Sequence, residues 1–168
     1  MRLIASLLLM NSAVAAAADF RVATNGQSCS DLPKLERLAA STSLPAAVPD
    51  GQFQRLLFEV EVLDRRATLV YLCKDGLLLT ENYSFPLEDL GGALSTFSQA
   101  HLLLIARFGS DFLESKSIPP ETLPFVAWRT QSAWVTLNIV DNSSNVGARY
   151  RSFLVISSAG HTRAAGSN

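Results

Sequence analysis

The chain has 168 residues, 48% of them apolar, 17% charged and 8% aromatic, with two cysteines and a formal net charge of −1. That composition excludes a disordered chain and a disulfide-dense miniprotein. It also argues against nucleic acid as a partner, because no excess of Lys and Arg is available to neutralise phosphates.

The first eighteen residues, MRLIASLLLMNSAVAAAA, read as a signal peptide. Arg2 supplies a positive start, Ile4 to Met10 an apolar core, and Ala15 to Ala18 the small residues that signal peptidase requires, so cleavage is expected before Asp19. The apolar core is far shorter than the roughly 20 residues a bilayer demands, and Asn11-Ser12 interrupts it, so no transmembrane anchor is expected after cleavage. The alanine-rich cleavage region has a bacterial look, which places the protein in the periplasm or outside the cell. What remains is read as one domain over 19–159 followed by a flexible tail over 160–168. A domain of that length buries roughly 68–70% of its unfolded surface, enough for an ordinary core.

Cys29 and Cys73 are the two cysteines, and an oxidising compartment favours their pairing. The bridge closes a loop of about 43 residues, worth roughly 3–4 kcal/mol in the chain-entropy model. Without a Cys-x-x-Cys spacing its role is read as structural.

Asp31 is placed to cap a short helix running through about Ala40, with Pro33 in its first turn and Leu35, Leu38 and Ala39 on its apolar side. Pro45, Pro49 and Asp50-Gly51 mark a loop. From Phe53 the period becomes two: Leu56, Phe58, Val60 and Val62 alternate with Arg55, Leu57, Glu59 and Glu61. A turn at Asp64-Arg65 then pairs Val60 with Leu69, Phe58 with Tyr71 and Leu56 with Cys73, all facing inward. For the next hairpin a three-residue loop with Gly76 at a bulge is preferred, sending Leu77, Leu79 and Tyr83 inward and leaving Glu81 in need of a polar partner. Pro86, Glu88 and Asp89 signal the start of a helix. Its first turn is expected to be loosened by Gly91-Gly92, its apolar stripe to comprise Leu94, Phe97, His101, Leu104 and Phe108, and its stop to fall at Gly109. Residues 110–124 form a proline-rich connection. A final hairpin runs from Ala133 to Ile139 and back from Tyr150 to Ser157, with Phe125 to Trp128 as a further short strand or an extension.

The expected fold class is α+β: a mostly antiparallel sheet of about five strands, helices on one face, in the order α-β-β-β-α-β-β. No motif accompanies that order to assign a family.

The chain has two histidines, and neither sits in a metal-ligand spacing or a nucleophile elbow. His161 lies in the tail, and His101 is read as a core histidine satisfied by one hydrogen bond. No metal or cofactor is expected. Glu59 and Glu61, about 7 Å apart on one strand face, are the remaining catalytic option, for a carboxylate-dependent hydrolase, though outward charges on a strand are usually just solvated. By elimination the expected function is non-enzymatic: an exported protein that works by protein–protein contact, as an inhibitor, immunity or accessory factor for another exported or envelope protein. A carrier of a small apolar ligand between sheet and helix is the alternative. The expected contact surface is the outer face of the last hairpin. Pairing Ile139 with Tyr150, Val135 with Leu154 and Ala133 with Ile156 leaves Trp134, Thr136, Asn138, Arg149, Arg151 and Phe153 together on it. Trp and Arg are the residues enriched among interface hot spots.

Overall fold

A computed structural model of the protein describes residues 20, 23, 26–45, 52–114, 123–142, 147 and 149–158. The expected leader and tail lie outside the described residues. Within them the chain forms α1 (Leu32–Leu38), β1 (Thr42–Leu44), β2 (Phe53–Val62), β3 (Arg65–Lys74), β4 (Leu77–Ser84), α2 (Leu90–Phe108), β5 (Leu113–Glu114), β6 (Phe125–Arg129), β7 (Ala133–Asp141) and β8 (Tyr150–Ser158). The strands make one antiparallel sheet in the order β1-β2-β3-β4-β8-β7-β6-β5. The class is α+β, but the described sheet has eight strands rather than five. β1 and β5 are edge pieces of three and two residues, too short to show a period. β6 extends the sheet beside β7 and covers neither face.

Alternation in the long strands follows burial. Phe58, Val60 and Val62 on β2, Leu69 and Tyr71 on β3, Leu137 and Ile139 on β7, and Leu154 and Ile156 on β8 are all buried on one face. Pairing registers differ from expectation by two residues in two hairpins. Phe58 faces Leu69, and the turn is Leu63-Asp64, with both residues at positive φ (57° and 55°). In the last hairpin Val135 faces Ile156, Leu137 faces Leu154 and Asp141 faces Tyr150. A two-residue slip leaves every side chain on its own face, so hydrophobic alternation cannot choose between such registers. Tertiary contacts decide: Leu63 packs against the core from its left-handed turn position, and Ser152, opposite Ile139, donates its hydroxyl to the Ala93 carbonyl of α2 at 3.1 Å.

Between β3 and β4 the turn is the two-residue Asp75-Gly76, and the irregularity sits inside the ladder at Leu72/Cys73 instead. The shift changes which residues of β4 face inward partway along it. Leu78 is buried, Leu77 is exposed and Leu79 half-buried, and beyond the bulge Glu81 and Tyr83 point into the core.

α1 also turns a different face. Leu32 and Glu36 are buried while Leu35 and Leu38 are exposed, and Asp31 makes no side-chain cap. The Cys29–Cys73 disulfide just before the helix orients it (Cα–Cα 6.3 Å), and the Tyr71 hydroxyl donates to Glu36 Oε1 at 2.7 Å. α2 begins at Leu90 and includes Gly91 and Gly92 without a break. Asp89 caps it by accepting from the Gly92 N–H at 2.7 Å, which offsets the low helix propensity of the glycines. Its buried residues are Ala93, Thr96, Phe97, Ala100 and Leu104, whereas Leu94 is exposed. Small side chains let the helix backbone approach β8, as the Ser152–Ala93 bond shows.

The core thus lies between one sheet face and two covers. α2 lies against β7 and β8, and the segment carrying Phe20, Cys29 and α1 lies against β3 and β4. That segment is tied to the sheet by backbone bonds, among them Cys29 N–H to the Gly76 carbonyl at 2.8 Å and Leu78 N–H to the Gln27 carbonyl at 2.9 Å.

Candidate functional site

Both described helices lie on the inner face, so the opposite face of the sheet has no described element across it. Leu57 on β2, Val70 and Leu72 on β3, Asn82 on β4, Phe153 and Val155 on β8, and Trp134, Thr136 and Asn138 on β7 share this face and are half-buried by their neighbours. Five of the six residues expected on the contact surface stand here together: Asn138 is paired with Phe153, Trp134 and Thr136 follow on β7, and Arg151 faces Val140. The Arg129 guanidinium lies 5.5 Å over the Trp134 ring. Arg149 is set apart at the hairpin end, where it donates to the Tyr150 hydroxyl at 2.8 Å and pairs with Asp141 at 3.2 Å.

Sequence reasoning missed the contribution of β3 and β4, because the outward residues of those strands become neighbours of the last hairpin only through the β4–β8 pairing. At the β2–β3–β4–β8 corner of the face there is an open cleft of about 260 Å³ lined by Glu59, Arg66, Thr68, Ser84, Pro86 and Arg151. Arg66 lies 4.0 Å from Glu59, and both are well exposed. Arg151 reaches the Ser84 hydroxyl at 3.4 Å, while its Nε is buried and has no hydrogen-bond partner. Asn82 Oδ1, further along the same face, is likewise buried without a donor. Glu59 and Glu61 project from β2 on this side, with Arg66 paired across from Glu61 and in reach of Glu59.

The inner face carries a second polar group. Glu81 is 1% exposed and accepts from the Tyr83 hydroxyl at 2.6 Å and the Ala23 N–H at 3.3 Å. Burial pushes its carboxyl up from 4.5 to about 7, opposed by those two hydrogen bonds. Arg107 on α2 donates to the Phe20 carbonyl at 2.7 Å, so the same cluster fastens the N-terminal segment.

His101 is half-buried among rings, 4.8 Å from Phe112, 5.6 Å from Trp128 and 5.9 Å from Phe97. Its Nε2 is buried with no hydrogen-bond partner among the described residues, where one hydrogen bond is expected. Between α2 and the sheet, Ala93, Ala100, Leu104, Leu137 and Leu154 are fully buried. Among the described residues no three His, Cys, Asp or Glu side chains converge, and no helix is long and apolar enough to cross a membrane.

Set beside known proteins, the chain matches no protein-family model, no curated protein and no solved structure.

Proposed function

We propose that this is an exported protein that works by contact with another exported or envelope protein, through the outer face of its sheet. The observation that carries the reading is that face itself. It joins Trp134, Phe153, Val155, Val70 and Leu72 with Arg151 and Arg66 at its corner, and both described helices lie on the other side. Aromatic and Arg side chains held on a rigid sheet match the composition of binding hot spots. Export is supported by the leader-like start and by the Cys29–Cys73 disulfide, a bond that persists in oxidising compartments.

Two measurements test the two halves of the proposal. The intact mass of the protein recovered from whole producing cells and their medium is expected to correspond to a chain beginning at Asp19; retention of residues 1–18 overturns the export half. For contact, a photocrosslinking amino acid at Val155 is expected to trap a partner in the producing cells, whereas one at the exposed Leu102 of α2 does not. Trp134→Ala should weaken the captured complex by roughly 2 kcal/mol or more, the usual hot-spot threshold, with an unchanged melting curve. Equal trapping from both positions, or undiminished binding by the Trp134→Ala/Arg151→Ala double variant, refutes the surface.

A further inference from the structure

The corner cleft has a chemistry of its own. A guanidinium carries five N–H donors, and in Arg151 the buried Nε–H has no acceptor while the contact to Ser84 is long at 3.4 Å. Beyond that contact the terminal N–H groups of Arg151 have no partner among the described residues, which leaves donors for an acceptor that a ligand brings. Two further donors stand beside it, the hydroxyls of Thr68 and Ser84, which face each other across the β3–β4 ladder. Arg66 adds a second positive charge at the mouth. Glu59 supplies one negative charge, so the lining keeps a net charge of one positive.

Size and charge narrow the ligand. At about 260 Å³ the cleft falls below the usual range of small-molecule pockets, roughly 300–1,000 Å³, and holds the end of a side chain rather than a whole cofactor. A planar monoanion can take two parallel hydrogen bonds from the terminal Nη groups of a guanidinium. The Glu59 carboxylate in the lining repels any anion, and repels a phosphate dianion more than a monoanion. The cleft is also continuous with the apolar face: Phe153 lies two residues along β8 from Arg151, and Val155, paired with Asn82 of β4, follows it. An extended polypeptide crossing this face would present a carboxylate to Arg151 and apolar side chains to Phe153 and Val155.

We infer that the cleft is the docking site for the carboxylate of an acidic residue in a polypeptide partner, with Arg151 as its principal ligand and Arg66 as the second cation. This rests on the reading of the outer face as a contact surface and names the chemistry that the face recognises.

The test uses the disulfide-bonded protein and follows the arginine Nε–Hε and backbone amide resonances by NMR. Three probes are titrated separately: the blocked peptide acetyl-Val-Leu-Glu-Leu-Val-amide, its Gln counterpart, and acetate. The Glu peptide is expected to move the Arg151 Nε–Hε signal together with the amides of Phe153 and Val155. It should bind at least about tenfold more tightly than the Gln peptide, as suits a charge-assisted hydrogen bond. Arg151→Gln should abolish that preference. Arg66→Gln, at a solvent-exposed position where folding is not at stake, should reduce it. Equal binding of the two peptides, with Val155 shifting and Arg151 still, overturns the carboxylate site and leaves the contact face standing. Acetate matching the Glu peptide in affinity overturns the polypeptide as occupant in favour of a free small acid. No movement of Arg151 with any probe overturns the site outright.

Discussion

Replacing Cys29 and Cys73 together by Ala is expected to lower the free energy of unfolding by about 3–4 kcal/mol while leaving the fold recognisable. The loss arises mainly in the unfolded chain, which regains the freedom of a long loop closed between residues 44 positions apart. In the folded protein the bridge is not alone: Cys29 N–H to the Gly76 carbonyl, Leu78 N–H to the Gln27 carbonyl and Gly26 N–H to the Leu78 carbonyl hold the same segment. Those bonds should keep the segment docked, with its amides exchanging faster than those of β7 and β8. Ala is preferred to Ser because both sulfurs are buried, and a hydroxyl there would add an unsatisfied polar group. Urea unfolding of oxidised wild type against the double variant reads the difference. A midpoint unchanged within error would mean that the bridge contributes nothing to stability.

The second large effect depends on pH. In the unfolded chain the Glu81 carboxyl ionises near 4.5, but in the folded protein burial holds it protonated up to about 7. Glu36 on α1 pushes in the same direction. The Tyr83 hydroxyl, the Ala23 N–H and Arg107 on α2 oppose it. Between those two values the unfolded state binds fewer protons, so stability falls as pH rises. The contribution is fully present below about 4.5 and lost through about 7, on the order of 3 kcal/mol. Glu81→Gln removes the titration but leaves an amide that needs its own partners, so above pH 7 it should gain only about 1–2 kcal/mol over wild type. Urea midpoints for both proteins at pH 5 and pH 8 are the measurement. Parallel behaviour of the two across that range would show that Glu81 does not titrate there.

Glu81 also illustrates how a residue can be noticed without being understood. Its position in a strand marked it as needing a polar partner, yet the partners come from Tyr83 two residues on and from Ala23, fifty-eight positions away. No local pattern encodes the second contact. The same holds for the Arg66–Arg151 cleft, whose two arginines lie on strands made near neighbours only by β4 between them. α2 shows a different failure. Phe97 and Leu104 of the expected apolar stripe are buried, but Leu94 is exposed and the packed face is completed by Ala93, Thr96 and Ala100, because small residues allow the backbone to reach Ser152. Periodicity weighs hydrophobicity, whereas packing against a sheet also weighs side-chain size.

The α+β class, the partnership of Cys29 with Cys73, and the parity of β2, β3, β7 and β8 are legible in the chain before it folds. All three follow from local or binary information: alternation with a period of two decides which face is buried, and two cysteines allow one pairing. The registers, the bulge at Leu72/Cys73, the buried face of α1, and the junction of β4 with β8 that assembles the outer face and its cleft arise only when distant segments pack together. Two-residue slips preserve alternation, and strand order leaves no local trace in the chain. These features are chosen instead by what each arrangement lets the whole core and its buried polar groups contact.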